Sequence, residues 1–503
     1  MITIVYSTHR DQEYNNKFKQ HLLQNVGLKD VQILEYVNHN QYSLSSVYNS
    51  GITESIYDIV VCCHNDIKLE KNWGKKLLAD FSNYPEFGII GKAGSCYFPD
   101  TGVYWDRMHH TMVGQVYHHP EGQKKWINRY SPKLPFLIPV VTIDGLFISF
   151  DKTKIKHTFD ETIGKFHFYD HLFCLPNYLD NIKLGITSSF EITHESVGRP
   201  NQEFFDSKVK FLEKWGHVLP LDLKPSDLYV PIIQTKKFKK YKKVAVIIPT
   251  KGKVNLIKDC VLSLQENCDK SIFEVFIADT GSSEKEIIET EEFIKEFENV
   301  KLIKYDYYNF AKINNDVVKN YLTSEHEFIL FCNNDIKILN DVITGMMSVF
   351  EKNIKCGTVG ARLHYADNTI QHNGVFMSLK KDAGKLDVGH LNIRNYYNYY
   401  IGIHKVFGNT GGLLMIRKKI FESLDCFNEN YINCFEDVEL NLMCIVKGLE
   451  NFNNSDCVAY HYESQTRNGD PDNLKKLNID FQNSLVPCVK KHIEKIKNKM
   501  TIN

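Results

Sequence analysis

The sequence has no surplus charge of either sign: Lys plus Arg and Asp plus Glu number 61 each. That balance argues against a general polyanion binder, and no nucleic-acid partner is expected, although a local patch is still allowed. A cysteine framework is also missing. Thirteen cysteines are scattered along the chain, with one adjacent pair at Cys62 and Cys63 and no C-x-x-C spacing, which points to reduced thiols rather than disulfides or a zinc site. The most apolar long stretch, 134–150, contains Pro135, Pro139 and Asp144, so it does not read as a membrane-spanning helix. Met1–Tyr6 is short and followed by charge, unlike a signal peptide. The expected location is the cytoplasm. Two basic segments, Lys236–Lys243 and 488–500, offer contact with the inner face of the cytoplasmic membrane. The plainer reading of both is a solvated linker and a basic helix end.

With 43% hydrophobic and 24% charged residues over 503 positions, the composition is globular and the length suits two large domains. ITIVYS (2–7) and VAVIIPT (244–250) are both β-branched runs that end in small polar residues, as buried parallel strands do where they open into a loop. Each is followed by alternating helix and strand patterns, which predicts an α/β doubly wound sheet with ligands at the carboxyl ends of its strands. Between them lie Pro220, Pro225, Pro231 and the run KKFKKYKK (236–243). Proline punctuation and a charge run read as a linker. The expected domains are 1–235 and 236–503.

A long-period repeat supports this division. DIVVCCHND (58–66) resembles EFILFCNND (327–335), FDETIGKFHFYDHL (159–172) resembles FNENYINCFEDVEL (427–440), and HES (194–196) resembles HYES (461–464). Asp66 precedes Asp170 by 104 positions and Asp335 precedes Asp437 by 102. In both copies the histidine, His194 or His461, follows 24 positions later. Three polar landmarks keep their order and distance while the surrounding sequence diverges, so the fold is read as duplicated.

The landmarks suit a particular chemistry. Asn333, Asn334 and Asp335 close a buried-strand pattern, and a strand-end carboxylate can hold Mg2+ or Mn2+ beside a diphosphate. Asp437 opens an apolar helical pattern and is a candidate general base for an attacking hydroxyl. It aligns with Asp170, whereas Glu436 aligns with Tyr169. His461 and His194 are candidate ligands, and imidazole favours Mn2+ over Mg2+. Asp279, before Thr280-Gly281-Ser282-Ser283, either accepts from a base or ribose hydroxyl or caps a turn.

At these residues the second domain resembles the family-2 inverting glycosyltransferases of the GT-A fold, closest to those that build bacterial surface polysaccharides. The likeness is carried by IIPTKGK (247–253), IADTGSSE (277–284), YNFAKINN (308–315), LFCNNDI (330–336), ADNTIQHNGV (366–375), GNTGGLLMIRKKIF (408–421), FEDVEL (435–440) and HYESQTR (461–467). The first domain is similar to a more divergent branch, through VYSTH (5–9), SVYNSGI (46–52), HNDI (64–67), TIDGLFISF (142–150), FHFYDH (166–171) and THESVG (193–198).

The resemblance implies two tandem Rossmann-like nucleotide-diphospho-sugar transferase domains. It implies metal, Mn2+ or Mg2+, at Asp66 with His194 and at Asp335 with His461, and bases at Asp170 and Asp437. A UDP-, GDP- or dTDP-linked sugar would be held by Ser7, Thr8, Asn49, Asn65 and Asp144 in the first domain. In the second, Thr250, Asp279, Asn309, Lys312, Asn333, Asn334, Gly411, Gly412 and Glu436 would hold it. Asn-Asn-Asp replaces Asp-x-Asp, leaving one carboxylate at the diphosphate. From first strand to metal motif the first domain spans 59 residues against 85. It shows no clean counterpart of Asp279, with Glu35 or Asn38 as stand-ins. Asp144 faces only a Thr-Gly-Gly counterpart at 410–412 and so bears on a different donor. The expected function is a bifunctional inverting enzyme acting on a glycan or lipid-linked glycan of the cell surface. A single active second domain beside a binding domain, and a protein acceptor, are the alternatives.

Overall fold

The runs at 2–7 and 244–250 are central strands, and the polar residue that closes each sits at a carboxyl end. The computed structural model describes residues 1–106, 111–131, 133, 136–198, 200–224, 228, 230–231, 233, 243–380, 385–393, 401–432, 434–462 and 472–502. The chain divides into two units, Met1–Tyr229 and Val230–Asn503. The basic run 236–242 and the ESQTR of HYESQTR lie outside the described residues.

The first unit begins β1 (Ile2–Thr8), α1 (Gln12–Asn25), β2 (Val31–Val37), α2 (Leu44–Glu54), β3 (Ile59–Cys63), β4 (Ile67–Leu69), α3 (Trp73–Asn83) and β5 (Phe87–Gly91). Short strands come next: β6 (Ala93–Ser95), β7 (Tyr97–Phe98), β8 (Met112–His118), β9 (Trp126–Arg129), β10 (Ile138–Val140), β11 (Thr142–Ile143) and β12 (Phe147–Asp151). It closes with α4 (Tyr169–Leu179), β13 (Lys183–Ile186), β14 (Ile192–His194), α5 (Gln202–Trp215) and β15 (Leu221–Asp222). The main sheet has the order β10-β13-β5-β12-β3-β1-β2. β1 lies between β2 and β3 and runs parallel to both, so the order reverses beside it and a crevice opens at the carboxyl ends of β1 and β3. A Cβ on Gly51 of α2 would stand 2.4 Å from the Val5 side chain, so glycine is what lets that helix lie so close to β1. The apolar stretch 134–150 is accounted for by β10, β11 and most of β12.

The second unit begins β16 (Lys243–Thr250), α6 (Val254–Asn267), β17 (Phe273–Asp279), α7 (Glu284–Ile294), β18 (Val300–Lys304), α8 (Phe310–Tyr321), β19 (His326–Cys332), β20 (Ile336–Ile338) and α9 (Val342–Lys352). It continues with β21 (Cys356–His364), β22 (Ile370–His372), β23 (Val375–Lys380), β24 (Lys385–His390), β25 (Ile403–Val406), β26 (Leu413–Arg417) and α10 (Lys418–Ser423). The last elements are α11 (Glu436–Val446), β27 (Glu450–His461), α12 (Asn473–Asp480), α13 (Val486–Ile496) and β28 (Thr501–Ile502). Its sheet has the order β18-β17-β16-β19-β26-β21-β27-β20.

The run β2-β1-β3-β12-β5-β13 of the first sheet repeats β17-β16-β19-β26-β21-β27 of the second. Two differences stand out. The first unit passes from β2 through one helix to β3, whereas the second inserts α7 and β18 before α8; this unit accounts for the shorter first-domain spacing. β27 is one strand of 12 residues, whereas its counterpart is broken into β13 and β14. Buried Lys92 fills the break, donating to the Thr187 carbonyl at 2.7 Å and to the Phe190 carbonyl at 2.5 Å. In the C-terminal basic segment, α13 turns Val489 and Ile496 into a core shared with Val438, Leu442 and Ile445 of α11. Among the described residues no helix is long and apolar enough to cross a membrane. All thirteen cysteines are free thiols.

Candidate active sites

Each unit builds a cleft at the carboxyl ends of its central strands. In the second unit Asn334 donates from Nδ2 to Thr250 Oγ1 at 2.9 Å, tying β19 to β16. In the first, Asn65 makes the same bond to Thr8 Oγ1 at 2.8 Å. The histidines share a register: His461 pairs with Ile336, and His194 with Ile67. The next backbone N–H, of Tyr462 or Glu195, donates to the Asp335 or Asp66 carbonyl at 3.0 or 2.8 Å. This antiparallel pairing brings each histidine to its carboxylate.

His461 Nδ1 lies 2.5 Å from Gln371 Oε1. A carboxamide oxygen only accepts, so Nδ1 carries the proton and Nε2 presents its lone pair. That lone pair faces Asp335 Oδ1 at 3.2 Å, while Asn333 Nδ2 approaches it at 3.2 Å. Asp335 is buried, and its Oδ1 accepts no hydrogen bond. A buried carboxylate oxygen without a donor, beside an imidazole nitrogen engaged only by a neutral amide N–H, suits a positive charge at this point. The oxygen and nitrogen donors fit a divalent cation, with Gln371 fixing the imidazole tautomer. In the first unit Asp66 Oδ2 lies 3.4 Å from His194 Nε2 and Oδ1 lies 3.8 Å from His64 Nδ1. One donor atom from each of the three residues falls within 4.8 Å of the others. Burial alone would raise the Asp66 carboxyl, but the bond to His194 and the nearby imidazoles outweigh it and hold Asp66 below the usual carboxylate range. Burial also lowers His64, which favours the neutral ring that ligates.

The second carboxylate of each cleft is fixed alike. Asp437 Oδ2 accepts from Gly411 N at 2.6 Å and Oδ1 from Val438 N at 2.7 Å. Asp170 Oδ2 accepts from Gly145 N and Oδ1 from His171 N, both at 2.9 Å. A phenylalanine with positive φ precedes each helix, Phe435 at 76° and Phe168 at 65°. The carboxylates therefore sit in the first turn, where the helix dipole favours their charge. A Cβ on Gly145 would come 2.1 Å from the Tyr169 hydroxyl, so α4 needs glycine there.

The second cleft, of about 300 Å³, gathers Thr250, Asn333, Asn334, Asp335, Gly411, Gly412, Glu436, Asp437 and His461. Asp279, Asn309 and Lys312 do not line it. Asp279 Oδ1 accepts from Gly281 N and Ser282 N, each at 3.0 Å, and Oδ2 takes the Ser282 hydroxyl. Asn309 caps α8 and donates to the Glu429 and Tyr431 carbonyls, and the Lys312 ammonium lies 4.4 Å from the Tyr307 ring centre. The first cleft, of about 500 Å³, is lined by Asp144, Asp170 and His194, with Asp66 against His194. Asp144 accepts from the Tyr104 hydroxyl at 2.7 Å and Leu146 N at 2.9 Å. Ser7 is half-buried opposite Tyr36. Asn49 clamps Phe159 and Glu161 through both ends of its carboxamide and does not line the cleft. Opposite Thr8, in the place Asp279 holds opposite Thr250, stands Val37. Asn38 is next and caps its own turn through Gln41 N and Tyr42 N, while Glu35 accepts from the Tyr6 hydroxyl at 2.5 Å.

Sequence reading missed Gln371, His390, Tyr365 and Lys251 in the second cleft, and His64, Tyr104, Trp105, His118 and Asn128 in the first. His64 had a signal: it heads His-Asn-Asp where the other copy has Asn-Asn-Asp. His390, His118 and Asn128 arrive through strand pairing, whereas Lys251 directly follows Thr250 and was within reach of the sequence.

A family model described as "Glycosyltransferase like family" matches residues 6–196, and one described as "Glycosyl transferase family 2" matches residues 245–425. The chain is a family-2-type glycosyltransferase. Its two tandem domains share the α/β GT-A fold. Curated relatives of this glycosyltransferase include the O-antigen biosynthesis protein RfbC of Myxococcus xanthus, 27% identical over 45% of this chain and 18% of that protein. Another is the uncharacterized protein y4gI of Sinorhizobium fredii (strain NBRC 101917 / NGR234), 28% identical over 44% of this chain and 25% of that protein. The match thus spans a quarter or less of either relative's length. Similar solved structures include GalNAc-T7 with UDP, GalNAc and Mn2+, at a TM-score of 0.40 and 12% identity over 50% of this chain and 48% of that one. The mannosyltransferase PcManGT from Pyrobaculum calidifontis in complex with GDP-Man and Mn2+ has a TM-score of 0.37 and 14% identity over 52% of this chain and 68% of that one.

Proposed function

We propose that the chain is a bifunctional inverting glycosyltransferase, with one active site per domain, acting on a bacterial surface glycan or its lipid-linked precursor. The observation that carries this is the duplication of the polar geometry: strand-end carboxylate against histidine, and helix-end carboxylate against a glycine N–H, in both units. The kinship with a protein named for O-antigen biosynthesis supports the choice of acceptor.

In each cleft the helix-end carboxylate, Asp170 or Asp437, takes the proton of an acceptor hydroxyl as its oxygen attacks carbon 1 of the donor sugar. The bond from carbon 1 to the diphosphate oxygen breaks on the opposite face, the nucleoside diphosphate leaves, and the anomeric configuration inverts. The backbone donors at Gly145 or Gly411 hold the base in position. Mn2+ or Mg2+ would be held by Asp335 and His461 in the second cleft, and by Asp66, His194 and His64 in the first. When bound, it supplies charge neutralisation for the leaving diphosphate. Asn334 and Thr250, like Asn65 and Thr8, shape the strand ends where a nucleotide would lie.

The test is a screen of UDP-, GDP- and dTDP-sugars with Mn2+ or Mg2+, following released nucleotide in the wild type, Asp170→Asn and Asp437→Asn. Two donors, each lost in a different variant, is the expected result. One donor, lost only in Asp437→Asn, makes the first domain a binding module.

A further inference from the structure

All four tryptophans of the chain, Trp73, Trp105, Trp126 and Trp215, fall in the first unit, and the second has none. Trp73 is wholly buried in that unit's core. Of the four, Trp105 alone lines either cleft. Its indole stacks on Phe204, with ring centres 5.9 Å and planes 30° apart, and Tyr104 meets it edge-on at 4.8 Å. Even so, 37% of the residue stays exposed. Tryptophan is highly buried on average. One that is packed on a phenylalanine yet open on a concave wall offers a flat, rigid, apolar surface to a ligand.

Two chains of contact tie this surface to the helix-end carboxylate. The Tyr104 hydroxyl donates to Asp144 at 2.7 Å, and the next residue, Gly145, donates its N–H to Asp170 at 2.9 Å. On the other side Phe204 packs at 5.2 Å on Phe168, which leads into α4 and Asp170. The indole is therefore fixed by the same groups that fix Asp170. A carboxylate that takes the proton of an attacking hydroxyl has the acceptor beside it. The other flat partner of an indole, a nucleobase, belongs at the carboxyl ends of the central strands, by Thr8 and Asn65. A pyranose ring has an apolar C–H face that matches the indole, with hydroxyls around its edge.

We propose that Trp105 is a specificity-determining residue of the first domain, on whose indole a pyranose ring of the acceptor stacks through its C–H face. This rests on the transferase reading of the cleft. The second domain, without a tryptophan, holds its acceptor by other contacts.

The test uses the full chain carrying Asp437→Asn, so that the first domain alone reports, with a panel of methyl pyranosides, which carry neither lipid nor charge, as acceptors. Trp105→Ala should raise the acceptor KM roughly three- to tenfold and leave the donor KM where it was. Trp105→Phe, which keeps a flat face, should recover part of the loss, whereas Trp105→Leu, apolar but without a ring, should not. Indole emission reads binding in the first unit without turnover, because every tryptophan lies there. Saturating acceptor should shift the emission of the parent and not that of Trp105→Phe. An unchanged acceptor KM in Trp105→Ala, a leucine as effective as phenylalanine, a rise in the donor KM, or an emission that the acceptor leaves unmoved in the parent overturns the assignment. An effect of Trp105→Ala confined to lipid-bearing acceptors gives the indole to the lipid chain and overturns it too. A parent that releases nucleoside diphosphate from no donor sinks the transferase reading of this cleft and the inference with it.

Discussion

The carboxylates divide by what surrounds them. Asp335 keeps one buried oxygen without a hydrogen bond, whereas both oxygens of Asp437 are engaged by backbone N–H groups. Asp335→Ala should therefore cost second-domain transfer on the order of 10²-fold or more while far-ultraviolet circular dichroism is retained. Asp437→Asn should cost on the order of 10²–10⁴ in kcat with little change in nucleotide affinity, as measured by single-donor kinetics. Lys92 supplies a pH test. Burial lowers its ammonium to about 7, against about 10.4 in an unfolded chain. Between those values the unfolded chain holds the proton and the folded one does not, so this residue's contribution to stability rises with pH across that window and is flat and lowest below it. In urea titrations at pH 7.5 and 9.5, Lys92→Met should show less gain in stability with pH than the wild type. Residues also show which neighbours a sequence alone can bring together. Asp66, Asp335 and the two histidines were legible because strand ends fix both their order and their spacing. Asp279 was not, because an acid before Thr-Gly-Ser reads the same whether it holds a ribose or caps a turn. Only the bonds from Gly281 and Ser282 reveal how its oxygens are engaged here.

Among the elements, α11, which bears the proposed base Asp437, depends on α12, further along the chain. Asp480 of α12 accepts from Ile432 N at 2.9 Å and Cys434 N at 3.1 Å, pinning the segment that leads into Phe435 and the first turn of α11. Phe435 packs on Phe481 at 5.5 Å, while in the first unit α5 plays this part, with Phe204 5.2 Å from Phe168. Asp480→Ala should destabilise the second unit by about 1–3 kcal/mol and lower its transfer while leaving the first domain's donor turnover intact. Differential melting and two-donor assays would check both. The alternation of strand and helix was readable from period alone. The hairpins that bring Asn128 and His390 to the clefts were not, because cross-strand register leaves no local trace.

At the scale of the molecule, the described residues that line each cleft belong to a single unit. The linker reading placed the boundary at 235. Pro231 and Ile233 nevertheless belong to the second unit: the Pro231 carbonyl accepts from Asn340 at 2.8 Å, and Ile233 packs on the core. We expect fragments 1–229 and 230–503 to fold separately, and 236–503 to melt below 230–503 because it lacks those contacts. Insolubility of both longer fragments beside a well-behaved whole chain would show that the units need each other. The α7–β18 unit that the second domain has and the first does without marks how far two copies can drift while the polar landmarks hold. Since among the described residues neither cleft is lined by a side chain of the other unit, a substitution that alters the sugar proposed for one half would need no compensating change in its twin. On the proposed two-site reading, duplication within one chain gives two independently tunable specificities, so that the order of sugars in a product would be rewritten one half at a time.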